Sequence, residues 1–221
     1  MKISKNLLLA SLLGFGAVSV YFIGGNADLW ANTKKVKKTE SVTSKLEKGS
    51  PEFAKFEKII RDLFSEFKAA AQQANQNEQK GQAEYTNIIK SAIDPQTVSK
   101  KICGVFNDEV VKSIILYCTR TFMTGTISQQ FREFENLKIV EIQKVTASGK
   151  QFHYVINCVL EKADNPINIV IYFSENGKFY EIKIGGVAFL QSIKSQLAPK
   201  LAGKSKKERP GIVKKEIENL S

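Results

Sequence analysis

His153, Glu181, Cys103, Cys118 and Cys158 are the side chains with chemistry to offer beyond an abundance of lysine. The sequence holds one histidine, which removes any mechanism needing two imidazoles and any His-rich metal site. His153 stands in "FHYVINCVL", alternating with apolar residues, and spacing supplies it no Asp, Glu or Cys partner. Glu181 stands in "KFYEIKIGG", between Tyr180 and Ile182 and shortly before Gly185 and Gly186. An acid there is placed to be a general base in a small cone-shaped α+β enzyme. A carboxylate bonded to backbone, or one at the surface, fits the same pattern and is the commoner outcome. The three cysteines form no CxxC and fit no zinc spacing. All lie in apolar runs, which reads as buried free thiols; a Cys103–Cys118 bridge stays open. No GxSxG, HExxH or nucleotide fingerprint occurs. "GKSKK" at 203–207 lacks the glycine spacing and the preceding strand of a phosphate loop. The sequence thus assigns no catalytic residue, no metal and no cofactor, and the expectation is a protein that is not an enzyme.

The elements that position these residues follow from apolar spacing. Ser50 then Pro51 is a helix start, and Phe53, Phe56, Ile60, Leu63 and Phe67 recur every three or four residues. "AQQANQNEQKGQ" reads as a polar loop and "AEYTNIIKSA" as a short second helix. Asp94 then Pro95 repeats the start signal, with Gly104 as the stop. Asn107 caps a further helix whose stripe is Val111, Ile114, Ile115, Cys118 and Phe122. The period then changes. "LKIVEIQKV", "FHYVINCVL", "PINIVIYFS" and "KFYEIKIGG" alternate as strands, parted by turn-forming segments. Helical spacing returns at Val187, Leu190, Ile193, Leu197 and Leu201, and "GIVKKEIENL" makes a last short helix. The expected class is α+β: helices on one face of a four-stranded, mainly antiparallel sheet.

The N-terminus reads as a secretory signal over 1–27. Lys2 and Lys5 precede a long apolar run, and small residues end at Ala27. An uncleaved membrane anchor is the alternative; either places the rest outside the cytoplasm. Residues 28–49 carry "KKVKK" with no apolar period and read as a disordered basic linker. The folded domain spans 50–221. The net charge is +11. Anionic lipid surfaces, acidic proteins or a plain solvated lysine coat all account for it. No arginine–aromatic interleaving points to nucleic acid. Fourteen Phe and six Tyr supply enough apolar surface for either a filled core or a tunnel.

Three segments carry a family resemblance. "IDPQTVSKKICGVF" (93–106) offers Asp94, Gly104 and Phe106; "ILYCTRTFMTGTI" (115–127) offers Arg120, Thr121 and Phe122. "YEIKIGGVAFLQSIKSQL" (180–197) offers Tyr180, Glu181, Gly186, Val187, Ala188, Phe189, Ile193, Lys194, Gln196 and Leu197. In this order they resemble the MlaC family, the toluene-tolerance auxiliary proteins. Several positions are conservative replacements, and Phe179 is the aromatic nearest the family's tryptophan. The resemblance implies a periplasmic phospholipid carrier that maintains outer-membrane asymmetry. Its implied partners are phospholipid, an inner-membrane MCE-protein and ATPase transporter, and an outer-membrane lipoprotein–porin complex. The implied site is an apolar tunnel between helices and sheet. From the helices it would take Ile102, Val105, Ile115 and Phe122; from the first two strands Val140, Ile142, Tyr154 and Ile156. From the last two strands it would take Ile169, Ile171 and Ile184, and from the junction after them Val187 and Phe189. Plain core packing is the competing role for each. Headgroups would stay near solvent, beside lysines. A small exported enzyme using Glu181 or His153, or an envelope scaffold with a filled core, are the other two classes.

Overall fold

The computed structural model describes residues 41–123, 136–146, 152–161 and 166–220. The expected signal segment, and the linker up to residue 40, lie outside them. The described chain is α+β, with six helices and a six-stranded antiparallel sheet.

The first helices begin where their caps dictate. Helix α1 (Pro51–Gln76) starts after Ser50, whose side chain accepts from the Phe53 N–H at 3.2 Å. It buries Phe53, Phe56, Ile60, Leu63, Phe64 and Phe67 along one face. The expected polar loop after it is instead helical. Helix α2 (Glu78–Ala92) begins one residue later, and Asn77 caps it by accepting from the Lys80 N–H at 3.0 Å. Gln, Ala, Glu and Lys are strong helix formers, so polarity alone did not end the helix. Small residues then let the two helices close on each other. A Cβ added at Gly81 on α2 would stand 2.3 Å from Ala74 Cα on α1.

Helix α3 (Pro95–Cys103) is capped by Asp94, which accepts from the Thr97 N–H at 2.9 Å, and it stops at Gly104 with φ 80°. Helix α4 (Asp108–Met123) starts at Asn107, whose Oδ1 accepts from the Val110 N–H. Ser99 ties the turn between them, donating to Val105 O and accepting from the Asn107 N–H, each at 2.9 Å.

The sheet runs β1 (Val42–Lys45), β2 (Leu137–Thr146), β3 (Phe152–Leu160), β4 (Ile167–Ser174), β5 (Phe179–Ile184) and β6 (Val187–Ala188), in that spatial order. Four strands were expected; β1 and β6 are additions. β1 falls inside the segment read as linker. All four of its side chains are exposed, so it leaves no apolar period. Its backbone pairs with Gln143–Thr146 of β2, and Lys45 meets Glu141 at 2.5 Å. β6 is two residues long and pairs with Lys183 and Ile184; helical spacing placed Val187 in the next helix. That helix, α5 (Phe189–Leu201), is followed by α6 (Arg209–Leu220).

Alternation sets which sheet face is buried. In β3, Tyr154, Ile156, Cys158 and Leu160 are buried; in β4, Ile169, Ile171 and Phe173. Phe56 of α1 covers them, its ring 4.2 Å from Tyr154 and 5.6 Å from Phe173. Further along, Phe67 of α1 meets Phe122 of α4, which meets Phe189 of α5, each pair at 5.6 Å. Two bulges interrupt the ladders. One makes Val140 an extra residue between Ile139 and Glu141; the other makes Tyr180 extra between Phe179 and Glu181. At the entry to α1, Tyr154 donates its hydroxyl to Glu52, which Lys144 also approaches at 3.4 Å.

The α1–α2 contact makes a test. Gly81→Ala forces a methyl into Ala74 backbone, so it is expected to destabilise the fold by about 1–3 kcal/mol, as overpacking does. Urea denaturation should show a lower midpoint with unchanged slope. A midpoint equal to wild type would contradict this close approach.

Candidate functional site

The expected lining residues divide into four groups. Ile142, Tyr154, Ile156, Ile169 and Ile171 are fully enclosed on the helix-facing side of the sheet, and Ile102 and Ile115 are buried on α3 and α4. Val105 and Ile184 are half-buried against the core. Val140 and Val187 are 52% and 61% exposed and line no interior space. Val140 is turned outward by its bulge, and Val187 sits on an edge strand beside a glycine turn. Phe122 and Phe189 are brought together at an enclosed apolar gap. That gap, about 20 Å³, lies between α4, α5 and β5. Its apolar wall also takes in Cys118, Phe179, Ile182 and Leu190, together with Ile93, Val98 and Ile114. It has room for a water, against roughly 300–1,000 Å³ for a ligand pocket.

Glu181 stands at the edge of this gap. Its carboxylate accepts from the backbone N–H groups of Leu190 at 2.8 Å, Gln191 at 3.0 Å and Ile182 at 3.1 Å. It therefore closes the first turn of α5, whose own cap residue, Ala188, has no side chain to do so. This is the backbone-bonded role, and the helix N-terminus favours the negative charge. Gly185 and Gly186 adopt φ 57° and 87° with open space around them. Two successive left-handed residues turn the chain from β5 into β6, which a residue with a Cβ does only under strain.

His153 belongs to a different surface. Register places it beside Ser174 of β4 and Val145 of β2, with Tyr172, Glu181 and Lys183 on the same side of the sheet, opposite Phe56. Its ring lies 6.2 Å from that of Tyr180. Burial, then the Lys101 charge, lower its pKa. A cleft of about 760 Å³ opens here between the start of α3, the start of β3 and the β4–β5 turn. A depression of about 390 Å³ shares Lys101, His153 and Tyr180 with it and runs on to Tyr172, Lys183 and Lys194. Spacing gave no hint of this cleft, because its lysines come from α3, β5 and α5. The one available signal was the polar alternation of β4 and β5.

Cys103, Cys118 and Cys158 are all buried and all free, so no Cys103–Cys118 bridge forms. Burial pushes the Cys118 thiol up and that of Cys158 up to about 12; both stay protonated and unreactive at neutral pH. Among the described residues no group of three or more His, Cys, Asp or Glu could hold a metal ion, and no helix is long and apolar enough to cross a membrane.

No protein-family model matches the chain, and no curated protein matches it.

Two measurements check this geometry. Glu181→Ala removes the acceptor for two α5 amides, so a loss of about 1–2 kcal/mol is expected, with Glu181→Gln recovering part of it. A change within about 0.5 kcal/mol, as at an ordinary surface position, would contradict the assigned role. Thiol labelling of native protein should be negligible and should reach all three cysteines in denaturant; a single reactive thiol in denaturant would mean a bridge.

Proposed function

We propose that this chain is a phospholipid carrier, holding acyl chains between its helices and its sheet. The supporting observation is the apolar gap at the β5–α5 junction. It is walled by side chains of α4, α5 and β5, and one of those walls is a helix attached through two glycines and a two-residue strand. Moving α5 outward widens the gap without breaking the main sheet. The gain is physical. An exposed acyl chain costs about 0.8 kcal/mol per methylene in water, and the residues that border the gap are of the kind that remove this cost. Val140 and Val187, being exposed, are not part of the proposed lining. In this reading the tunnel forms when an acyl chain widens this gap of about 20 Å³.

The resemblance to the MlaC family supports the same reading and adds its setting. The chain would be exported by its N-terminal segment and work in the periplasm. It would exchange lipid with an inner-membrane MCE-protein transporter and an outer-membrane lipoprotein–porin complex. Carrying requires no catalysis, and Glu181, the best-placed acid, is engaged by backbone amides. The reading therefore gives the protein no enzymatic step.

Native mass spectrometry of protein expressed in bacteria and gently purified tests this. The expected result is added mass equal to one or more phospholipids, released by organic extraction. A clean lipid-free mass, unchanged after incubation with phospholipid vesicles, would overturn it.

A further inference from the structure

The apolar gap and the cationic cleft are not separate features. Tyr180, Glu181 and Leu190 border both. One side of this short stretch is apolar and enclosed; the other is lined by lysines and open to solvent.

The lysines that line the cleft and its extension outnumber the acids there. Lys101 Nζ stands 4.8 Å from the centre of the Tyr180 ring, and Lys183 Nζ 5.1 Å from that of Tyr172. Among the described residues no carboxylate forms an ion pair with Lys101, Lys183 or Lys194. Three acids do border the cleft. Asp94 is bonded to the Thr97 N–H of α3, and Glu181 to the Leu190 and Gln191 N–H groups of α5; each serves a helix end. Glu175 is exposed at the rim. Lys100 and Lys178 extend the cation set, their Nζ atoms donating to the Gln96 side chain and to Ser91 O. Burial pushes the Tyr180 phenol up to about 12, so it remains a proton donor at neutral pH. Several ammonium groups, a phenol and an imidazole around one concavity suit a compact polyanion with many acceptor oxygens.

We infer that the cleft around Lys101, His153, Tyr180 and Lys183 is a binding site for a phosphate group, positioned so that a lipid phosphate there leaves its acyl chains at the mouth of the α4–α5–β5 gap. The inference rests on the carrier reading for the lipid, but not for the phosphate. The same chemistry would hold a free phosphate or a small phosphate ester. Lysines bind here as point charges, without the bidentate geometry of arginine. The site is therefore selective for charge more than for headgroup identity.

The single histidine makes the test direct, because its ring signals in a carbon–proton correlation spectrum come from one residue of the full-length protein. Inorganic phosphate, glycerol 3-phosphate and dihexanoyl phosphatidylglycerol would be titrated below micelle formation, at fixed pH and fixed ionic strength, against sodium chloride. The expected result is a saturable movement of the His153 signals. In Lys101→Gln/Lys183→Gln it should need roughly tenfold more ligand, while the thermal midpoint stays near that of wild type. Tighter binding of the short-chain lipid than of glycerol 3-phosphate identifies a lipid headgroup. Equal binding of the two identifies a free-phosphate site and supports the cleft without the carrier. A movement that is linear in concentration, matched by chloride, or unchanged in the double variant overturns the phosphate site. It would do so even if phospholipid co-purifies with the protein.

Discussion

The whole arrangement turns on how one carboxylate ends a sheet and begins a helix. β5 carries Glu181 to the sheet edge, and its side chain takes up the first free amides of α5. Phe189, the first residue of α5, also packs against Phe122 and Tyr117, at 5.6 and 5.5 Å between ring centres. β6 adds a two-residue ladder, and the glycine pair between the strands imposes no side-chain packing. α5 is thus held at its first turn by charge-assisted hydrogen bonds and the Phe189 ring, and along its length by Leu190, Ile193 and Leu197. Hydrogen bonds of this kind net only about 1.5–3 kcal/mol each, and the carrier reading places its local opening at this start of α5. By contrast, α1 lies over the sheet with Phe56 between two aromatic neighbours and most of its apolar face enclosed. The two helices therefore have different duties: one completes the core, the other closes it.

The bulge beside Glu181 gives this junction its second property. An extra residue in β5 lets Tyr180 and Glu181 serve both surfaces of the sheet end. Without it, strict alternation would send Tyr180 to one side and Glu181 to the other. With it, an apolar space and a lysine-lined cleft come within one side chain of each other. An amphiphile has the same division of character, with apolar chains and an anionic head. The proposed carrier role and the proposed phosphate site are two consequences of this one local geometry.

Much of the frame was legible in the sequence. The starts Ser50–Pro51, Asp94–Pro95 and Asn107 all cap helices as read, and Gly104 stops one. The alternation in β3 and β4 gave the buried face correctly. The readings that failed mostly share a cause: their structure depends on backbone or on distant partners. β1 pairs by its main chain with no side chain buried. The polar stretch read as a loop is helical because its residues are good helix formers and Asn77 caps a second helix within it; the Gly81–Ala74 approach that packs the pair shows only in three dimensions. Val140 faces solvent because a bulge shifts the period by one. Lys101 and Lys183 share a cleft although far apart in the chain, and no local pattern joins them.

Hydrogen exchange at the amides of α5 tests the central claim most directly, comparing delipidated protein with protein loaded with dioctanoyl phosphatidylglycerol. The account predicts that Leu190, Gln191 and the following turn exchange faster than the buried turns of α1 in the lipid-free state, and that loading slows them together with β5. Equal protection of α5 and α1 without lipid, and no change on loading, would contradict a gap that opens at this junction.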